Sequence, residues 1–339
     1  MSSSCGMNEL RKLTSASMFY DTGTKAPLVY IVVLNYNGPD LTIDCINSVL
    51  KIDYPNFRVI VVDNGSTDDS VARFNAAFSD PRIELFVNGK NEGYAGGNNR
   101  GIERALLRGA DYIFILNNDT IAEPGCVMPL VVAMERDREI GICGGPILST
   151  VRETFPACGH YINLYTARSG DKTTNGITAA IEVDFLLGAA LMLSSWLVTQ
   201  IGGFDESFFL MYEEMDLCFR ARKTGLKICF ITGPGIIHIG HASIGRSRAN
   251  FLYFYVRNRA WFIRRHGTFL HRLSFSVFSV CTHYPRLLLG RVIRRDLASF
   301  KAVMKGIWEG HTASILPIDR VGKLALGPSH LACSERRSS

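Results

Sequence analysis

Apolar runs separated by polar, turn-forming clusters recur along the first third of the chain, and each run is followed by a segment of helical period. Residues 28–34 (LVYIVVL) are continuously apolar, as a strand buried on both faces of a parallel sheet requires. Residues 58–63 (RVIVVD), 82–87 and 112–116 (YIFIL) repeat the signal, and 41–51, 68–78 and 97–108 between them read as helices. This alternation predicts an α/β fold with a doubly wound, mainly parallel sheet. After Gly144-Gly145-Pro146 the rhythm lapses, and the polar stretch 151–180 reads as an excursion over the active face. Order resumes over 183–193, then a short helix over 195–201. A helix over 214–224 opens with acids, closes with Arg220, Arg222 and Lys223 and has Gly225 just beyond it, matching its charges to the helix dipole. A strand is expected over 226–231, and from residue 250 onward aromatic and basic residues interleave in amphipathic helical patterns.

Composition fits a folded globular chain: 339 residues, 47% hydrophobic and 20% charged, which excludes wholesale disorder. No apolar stretch reaches the roughly 18 residues that a spanning helix needs. The first residues lack an apolar h-region, so no secretory signal is expected. Nine cysteines are scattered with no C-x-x-C pair, which leaves a zinc ribbon unsupported and predicts reduced thiols in the cytosol. The net charge of +6 hides an asymmetry: residues 1–245 carry 20 Lys and Arg against 27 Asp and Glu, whereas 246–310 carry 13 against 2. The chain therefore divides into a flexible tail (1–25), a mildly acidic α/β domain expected to carry the site (26–245), a basic amphipathic helical segment (246–310) and a second tail (311–339). Basic residues beside Phe251, Tyr253, Phe254, Tyr255, Trp261, Phe262, Phe269 and Phe275 suit an anionic membrane surface. Peripheral attachment at the inner face of the cell membrane follows as an expectation. Nucleic acid is not expected, because no nucleic-acid-binding motif accompanies the charge.

Ligands of open α/β sheets bind beyond the carboxyl ends of the strands. Three predicted strands end there in polar residues: Asn35-Tyr36-Asn37-Gly38, Asp63-Asn64-Gly65-Ser66-Thr67-Asp68 and Asn117-Asn118-Asp119-Thr120. Each alone reads equally as ordinary turn chemistry; their recurrence at one sheet edge is the stronger signal. Asn91-Glu92-Gly93-Tyr94-Ala95-Gly96-Gly97-Asn98-Asn99 opens a helix, where backbone N–H groups could approach a phosphate. Neither G-x-G-x-x-G after the first strand nor a P-loop is present.

These motifs, with Gly202-Gly203-Phe204-Asp205 and the run Tyr212-Glu213-Glu214-Met215-Asp216-Leu217-Cys218-Phe219-Arg220, resemble the family 2 glycosyltransferases, most closely the rhamnosyltransferase-like branch. The resemblance runs from about residue 28 to 310. It implies a GT-A fold, a nucleotide-diphosphate-sugar donor, a divalent cation (Mg²⁺ or Mn²⁺) and inversion at the anomeric carbon, with a glycan or lipid-linked glycan as acceptor. Asp63 is placed like the family's base- or ribose-contacting acid. Asn35, Asn37, Asn91, Gly96, Asn98 and Asn118 are expected in the same donor pocket. Asp119 matches the last acid of the family's D-x-D motif, whose first acid is Asn117 here; one carboxylate with diphosphate oxygens and waters suffices for such a cation. Asp119 alone also reads as a turn or N-cap residue. His238 matches a family histidine that reaches the metal or diphosphate, although a histidine on an apolar strand also reads as core. The family's catalytic base maps onto Glu214, with Glu213 a second candidate, and adjacent acids raise one another's pKa. Asp216 reads as a helix-dipole partner. Arg257 and Asn258 either contact a phosphate or the acceptor, or form the polar face of a helix. Residues 183–190, rich in small side chains, resemble the segment flanking acceptor and sugar.

Two other readings stay open from the sequence. A sugar nucleotidyltransferase would need a basic Gly-rich loop after the first strand, which Asn35-Tyr36-Asn37-Gly38 is not. A non-catalytic nucleotide-sugar-binding protein would not need Asp63, Asp119 and Glu214 together.

Overall fold

The computed structural model describes residues 25–149, 159–171, 180–240 and 248–315. Strand β1 (Val29–Asn35) leads through helix α1 (Pro39–Val49) to β2 (Phe57–Asp63), α2 (Ser70–Ala77), β3 (Ile83–Val87), α3 (Gly93–Leu107) and β4 (Tyr112–Asn117). Next come β5 (Thr120–Ala122), α4 (Met128–Arg136), β6 (Ile140–Gly144), β7 (Ile147–Ser149), and a hairpin of β8 (His160–Asn163) and β9 (Arg168–Asp171). Strands β10 (Ala180–Glu182) and β11 (Ala190–Ser194) precede helix α5 (Ser195–Ile201), a 3₁₀ turn (Glu206–Phe208) and helix α6 (Glu213–Lys223). The chain then forms β12 (Lys227–Ile231), β13 (Ile236–His238), α7 (Arg248–His266), α8 (Phe269–Phe278), a π turn (Ser279–His283), α9 (Tyr284–Ile293) and α10 (Leu297–Thr312).

Eight strands form one sheet in the order β10-β12-β6-β11-β4-β1-β2-β3. β1 is parallel to β2 and β4, β2 to β3, and β6 to β12; β11 runs antiparallel between β4 and β6. The continuously apolar strands are explained by two cores, one per face: Val32, Ile60, Val62, Ile113 and Ile115 enter one, while Ile31, Val59, Val61 and Phe114 enter the other. Asn35 pairs in register with Asp63, and Leu34 with Asn117, so three polar strand ends line up at one edge. A second, small sheet, β5-β13-β7, sits beyond that edge; the sequence pattern did not reveal it. Helix α3 begins at Gly93 instead of 97, which places Gly96 inside the helix.

Three aromatics of the basic segment differ from their expectation. Trp261 and Phe262 of α7 and Phe275 of α8 are buried in the same core as the sheet, so these aromatics pack against the protein instead of facing a membrane. Among the described residues no helix is long and apolar enough to cross a membrane.

Helix α6 is fixed to α7 by buried charge. Asp216 accepts from Arg220 Nε at 2.8 Å, Arg265 Nη1 at 3.0 Å and His266 Nε2 at 2.8 Å, and Arg265 also reaches Asp205 at 2.6 Å. Burial opposes ionisation of Asp216, but Arg220, the His266 hydrogen bond and Arg265 outweigh it and hold the carboxyl below its ordinary range. Asp216 thus does more than complement the helix dipole. Asp216→Asn, which removes a buried negative charge that faces two buried guanidinium groups, is expected to lower stability by about 3–5 kcal/mol. Because the folded pKa is depressed, the contribution is full above the unfolded carboxylate pKa and fades as pH falls through the folded one. Denaturant unfolding of both proteins should show a gap that narrows in acid.

Candidate active site

The ends of β1 and β2 are locked together. Asn35, fully buried, donates from Nδ2 to Asp63 Oδ1 at 2.8 Å and accepts at Oδ1 from Thr42 Oγ1, also at 2.8 Å. Asp63 accepts in addition from Ser66 Oγ at 2.6 Å and Ser66 N at 3.0 Å. Asn37, with φ +52°, accepts at Oδ1 from Thr67 N at 2.7 Å. Asn118 donates to Thr42 Oγ1 at 3.0 Å. These four residues therefore form one hydrogen-bonded shelf across the strand ends, with Asn35 holding Asp63 in place.

The glycine-rich turn corrects one expectation. The N–H groups opening α3 are already bonded: Glu92 N donates to Asn64 Oδ1 at 3.2 Å, Gly93 N to Asn91 Oδ1 at 2.8 Å, and Tyr94 N and Ala95 N to the Phe209 carbonyl at 2.7 and 3.3 Å. Donors engaged in this way are not offered to a phosphate. Gly93 is required for a different reason: its φ is +74°, and a Cβ there would lie 2.5 Å from Phe209 O. Asn91 orders this turn. Gly96 is buried, with space for a Cβ closed by Glu92. Asn98, fully buried, donates to Tyr94 O at 2.9 Å while its Oδ1 has no partner.

The small sheet assembles the metal-capable pair. β13 runs antiparallel to β5, pairing His238 with Thr120, and Ile239 N donates to Asp119 O at 2.9 Å. His238 Nε2 then lies 3.1 Å from Asp119 Oδ1, two residues 119 positions apart in the chain. One carboxylate and one imidazole fit a divalent cation that keeps diphosphate and water ligands. They do not make a closed structural site, and no group of three or more candidate ligands occurs among the described residues.

Glu213 and Glu214 open α6. Their Oε2 atoms are shielded from solvent and have no hydrogen-bond partner. Burial pushes Glu214 up to about 7, although backbone N–H groups of the first turn pull the other way. Burial and then the Glu214 charge hold Glu213 well above the carboxylate range. Tyr94, which the sequence reading did not single out, joins the two halves of the site. Its hydroxyl donates to Gly188 O at 2.6 Å, and burial, Glu213, Glu214 and Asp119 all raise its pKa. A Cβ at Gly188 would lie 3.7 Å from Glu214 Cβ, so the small-residue segment over 183–190 passes beside the carboxylates.

Arg257 and Asn258 are turned toward the loop that precedes α6. Asn258 Nδ2 lies 2.8–2.9 Å from the carbonyls of Phe208, Leu210 and Met211. Arg257 Nη2 donates to Ser207 O at 2.9 Å and Phe208 O at 3.0 Å, and Nε to Asn258 Oδ1 at 2.8 Å. The loop needs such holding: Phe209, Met211 and Tyr212 all have positive φ, costing about 1–3 kcal/mol each for residues other than glycine. Both side chains thus act on the loop backbone, and a phosphate contact would require Arg257 to leave these carbonyls.

Residues 30–180 match the family model described as Glycosyl transferase family 2. Residues 112–313, more than half of the chain, match Glycosyl transferase family group 2. The chain belongs to the family 2 glycosyltransferases. This glycosyltransferase is 26% identical over 264 residues to the low-salt glycan biosynthesis hexosyltransferase Agl10 of Haloferax volcanii, covering 74% of this chain and 80% of the relative. It is 27% identical over 248 residues to the N-acetylglucosaminyl-diphospho-decaprenol L-rhamnosyltransferase of Mycobacterium tuberculosis, covering 66% and 79%. Among solved structures it resembles GalNAc-T7 with UDP, GalNAc and Mn²⁺, with a TM-score of 0.56 and 14% identity over 77% of this chain. The match covers 57% of GalNAc-T7, just over half of that chain. It also resembles the mannosyltransferase PcManGT of Pyrobaculum calidifontis in complex with GDP-Man and Mn²⁺, with a TM-score of 0.52 and 16% identity over 93% of this chain and 85% of that one. These likenesses establish the GT-A type of α/β fold.

Two outcomes follow for the glycosyltransferase. Asn258→Ala should lower stability by about 1–3 kcal/mol or more, since buried carbonyls lose their donor, as measured by thermal unfolding. Glu214→Gln removes a group whose folded pKa is raised, and whose burial therefore destabilises the wild type as pH rises through 7. The variant should melt above the wild type at pH 8, with the difference closing by pH 5.

Proposed function

We propose that the glycosyltransferase moves a sugar, with inversion, from a nucleotide-diphosphate donor to a hydroxyl of a glycan or lipid-linked glycan. Glu214 is the general base. The observation that carries this reading is its shielded carboxylate, whose Oε2 has no hydrogen-bond partner, poised near 7 beside the Gly188 backbone. A base with a pKa near the working pH accepts the acceptor proton while still being deprotonated often enough to do so. Glu213, raised by burial and by the Glu214 charge, disfavours a second negative charge in the site. Tyr94 fixes the Gly188 carbonyl and so the wall on which the acceptor lies.

The shelf of Asn35, Asn37, Asp63 and Asn118 is the floor of the nucleotide site, with Asn91, Gly96 and Asn98 shaping its flank. Asp119 and His238 would hold a divalent cation, Mg²⁺ or Mn²⁺, which when bound neutralises the leaving diphosphate. The two metal-bearing structural neighbours and the proximity of these side chains support that assignment. The decaprenol-linked substrate named for the mycobacterial relative supports a lipid-linked acceptor, and with it work at the anionic inner face of the cell membrane.

Glu214→Gln is expected to retain nucleoside diphosphate binding by calorimetry and to lose transfer by about 10²-fold or more. Wild-type turnover should rise with pH through about 7 as Glu214 ionises. If Glu213→Gln abolishes transfer and Glu214→Gln does not, the base is Glu213. Asp119→Asn and excess chelator should each abolish donor turnover; full activity in EDTA would overturn the metal assignment.

A further inference from the structure

Eleven of the eighteen exposed large hydrophobic side chains among the described residues lie in the short interval from Phe269 to Trp308. They follow helical spacing. Phe269, Leu273 and Val277 repeat every fourth residue along α8; Leu289, Val292 and Ile293 share a face of α9; Leu297, Met304 and Trp308 share a face of α10. Ile293 is 72% exposed and Trp308 70%. Ordinary soluble surfaces scatter such residues singly.

The charges around this surface have one sign. Arg272, Arg286, Arg294, Arg295, Lys301 and Lys305 are exposed. The two acids of the region are engaged, Asp296 capping α10 through Ser299 N at 3.0 Å and Glu309 bonded to the Tyr253 hydroxyl. Apolar stripes flanked by cations match the interface of an anionic bilayer, where the stripe enters the headgroup boundary and the cations meet lipid phosphates. A second copy of the same surface would bring cations against cations with no exposed acid to offset them.

We infer that α8, α9 and α10 together form a lipid-docking face that seats the enzyme on an anionic membrane. This rests on the membrane half of the proposed function and is independent of its catalytic half. Of the aromatics expected to meet the membrane it keeps Phe269 of α8 and replaces those of α7. The face is coupled to the active site through close packing. A Cβ on Gly310 of α10 would lie 3.0 Å from Ala260 Cβ and 3.2 Å from Arg257 Cα on α7. Helix α10 therefore lies directly behind the residues that hold the loop before Glu214, and docking sets the catalytic carboxylate at a fixed offset from the lipid surface.

The test uses the full chain and vesicles of phosphatidylcholine with or without phosphatidylglycerol. The wild type should co-sediment with the anionic vesicles at low salt and far less at high salt or with neutral vesicles. A blue shift of tryptophan emission should accompany binding and vanish in Trp308→Phe. The triple variant Leu273→Ser, Ile293→Ser, Trp308→Ser alters only exposed side chains. It should keep the wild-type melting temperature and donor hydrolysis in solution but bind anionic vesicles at least tenfold more weakly. No binding of the wild type at low salt, or equal binding of the triple variant, would overturn the proposal. So would a wild-type dimer in sedimentation velocity that the triple variant converts to monomer, which would assign the face to a second copy. Absence of donor turnover in both proteins would refute the catalytic reading and leave the docking result standing.

Discussion

The arrangement depends on how one strained loop is held. Residues 207–212 reach α6 through three non-glycine residues of positive φ, a path the backbone does not take unless it is over-determined. The buried Asn258 amide and the Arg257 guanidinium supply that constraint from α7 by bonding the loop's carbonyls. The remaining carbonyl, that of Phe209, accepts from the first N–H groups of α3. One loop thus joins the helix beside the strand-end shelf, the helix that carries Glu213 and Glu214, and the basic helix behind both. Its conformation decides where Glu213 and Glu214 stand.

Within α6 the same turn produces opposite electrostatics. Glu213 is buried and Glu214 half-buried; the Oε2 of each has no partner, and desolvation raises both. Asp216, two residues on, is fully buried but faces Arg220, Arg265 and His266, and is lowered. Desolvation acts on all three; the presence or absence of a cation decides the sign. The ion-paired acid anchors the helix, whereas desolvation makes ionisation of the other two costly.

The basic segment likewise serves two ends through two faces. The inward face of α7 contributes Trp261 and Phe262 to the core and Arg257, Asn258, Arg265 and His266 to the loop and to Asp216. The exposed stripes are confined to the helices that follow. A surplus of arginine that looks uniform in sequence is therefore partly internal structure and partly surface.

The sequence by itself determined the strands of the parallel sheet, because residues buried on both faces must be continuously apolar; β1, β2, β3 and β4 lie within a residue or so of their expected bounds. It also determined the polar strand ends and the acids opening α6, since turn residues and helix N-termini are local signals. Only the tertiary structure decided the rest. Asp119 meets His238 because β13 pairs with β5 across more than a hundred residues, and such register leaves no local mark. The turn at Gly93 looked like a phosphate cradle until a distant carbonyl was seen to occupy it. Arg257 and Asn258 could have faced a ligand or a helix surface; their burial against loop carbonyls is set by packing. Whether a carboxylate is a base or an anchor follows from which side chains the fold brings to it, and those come from the far end of the chain.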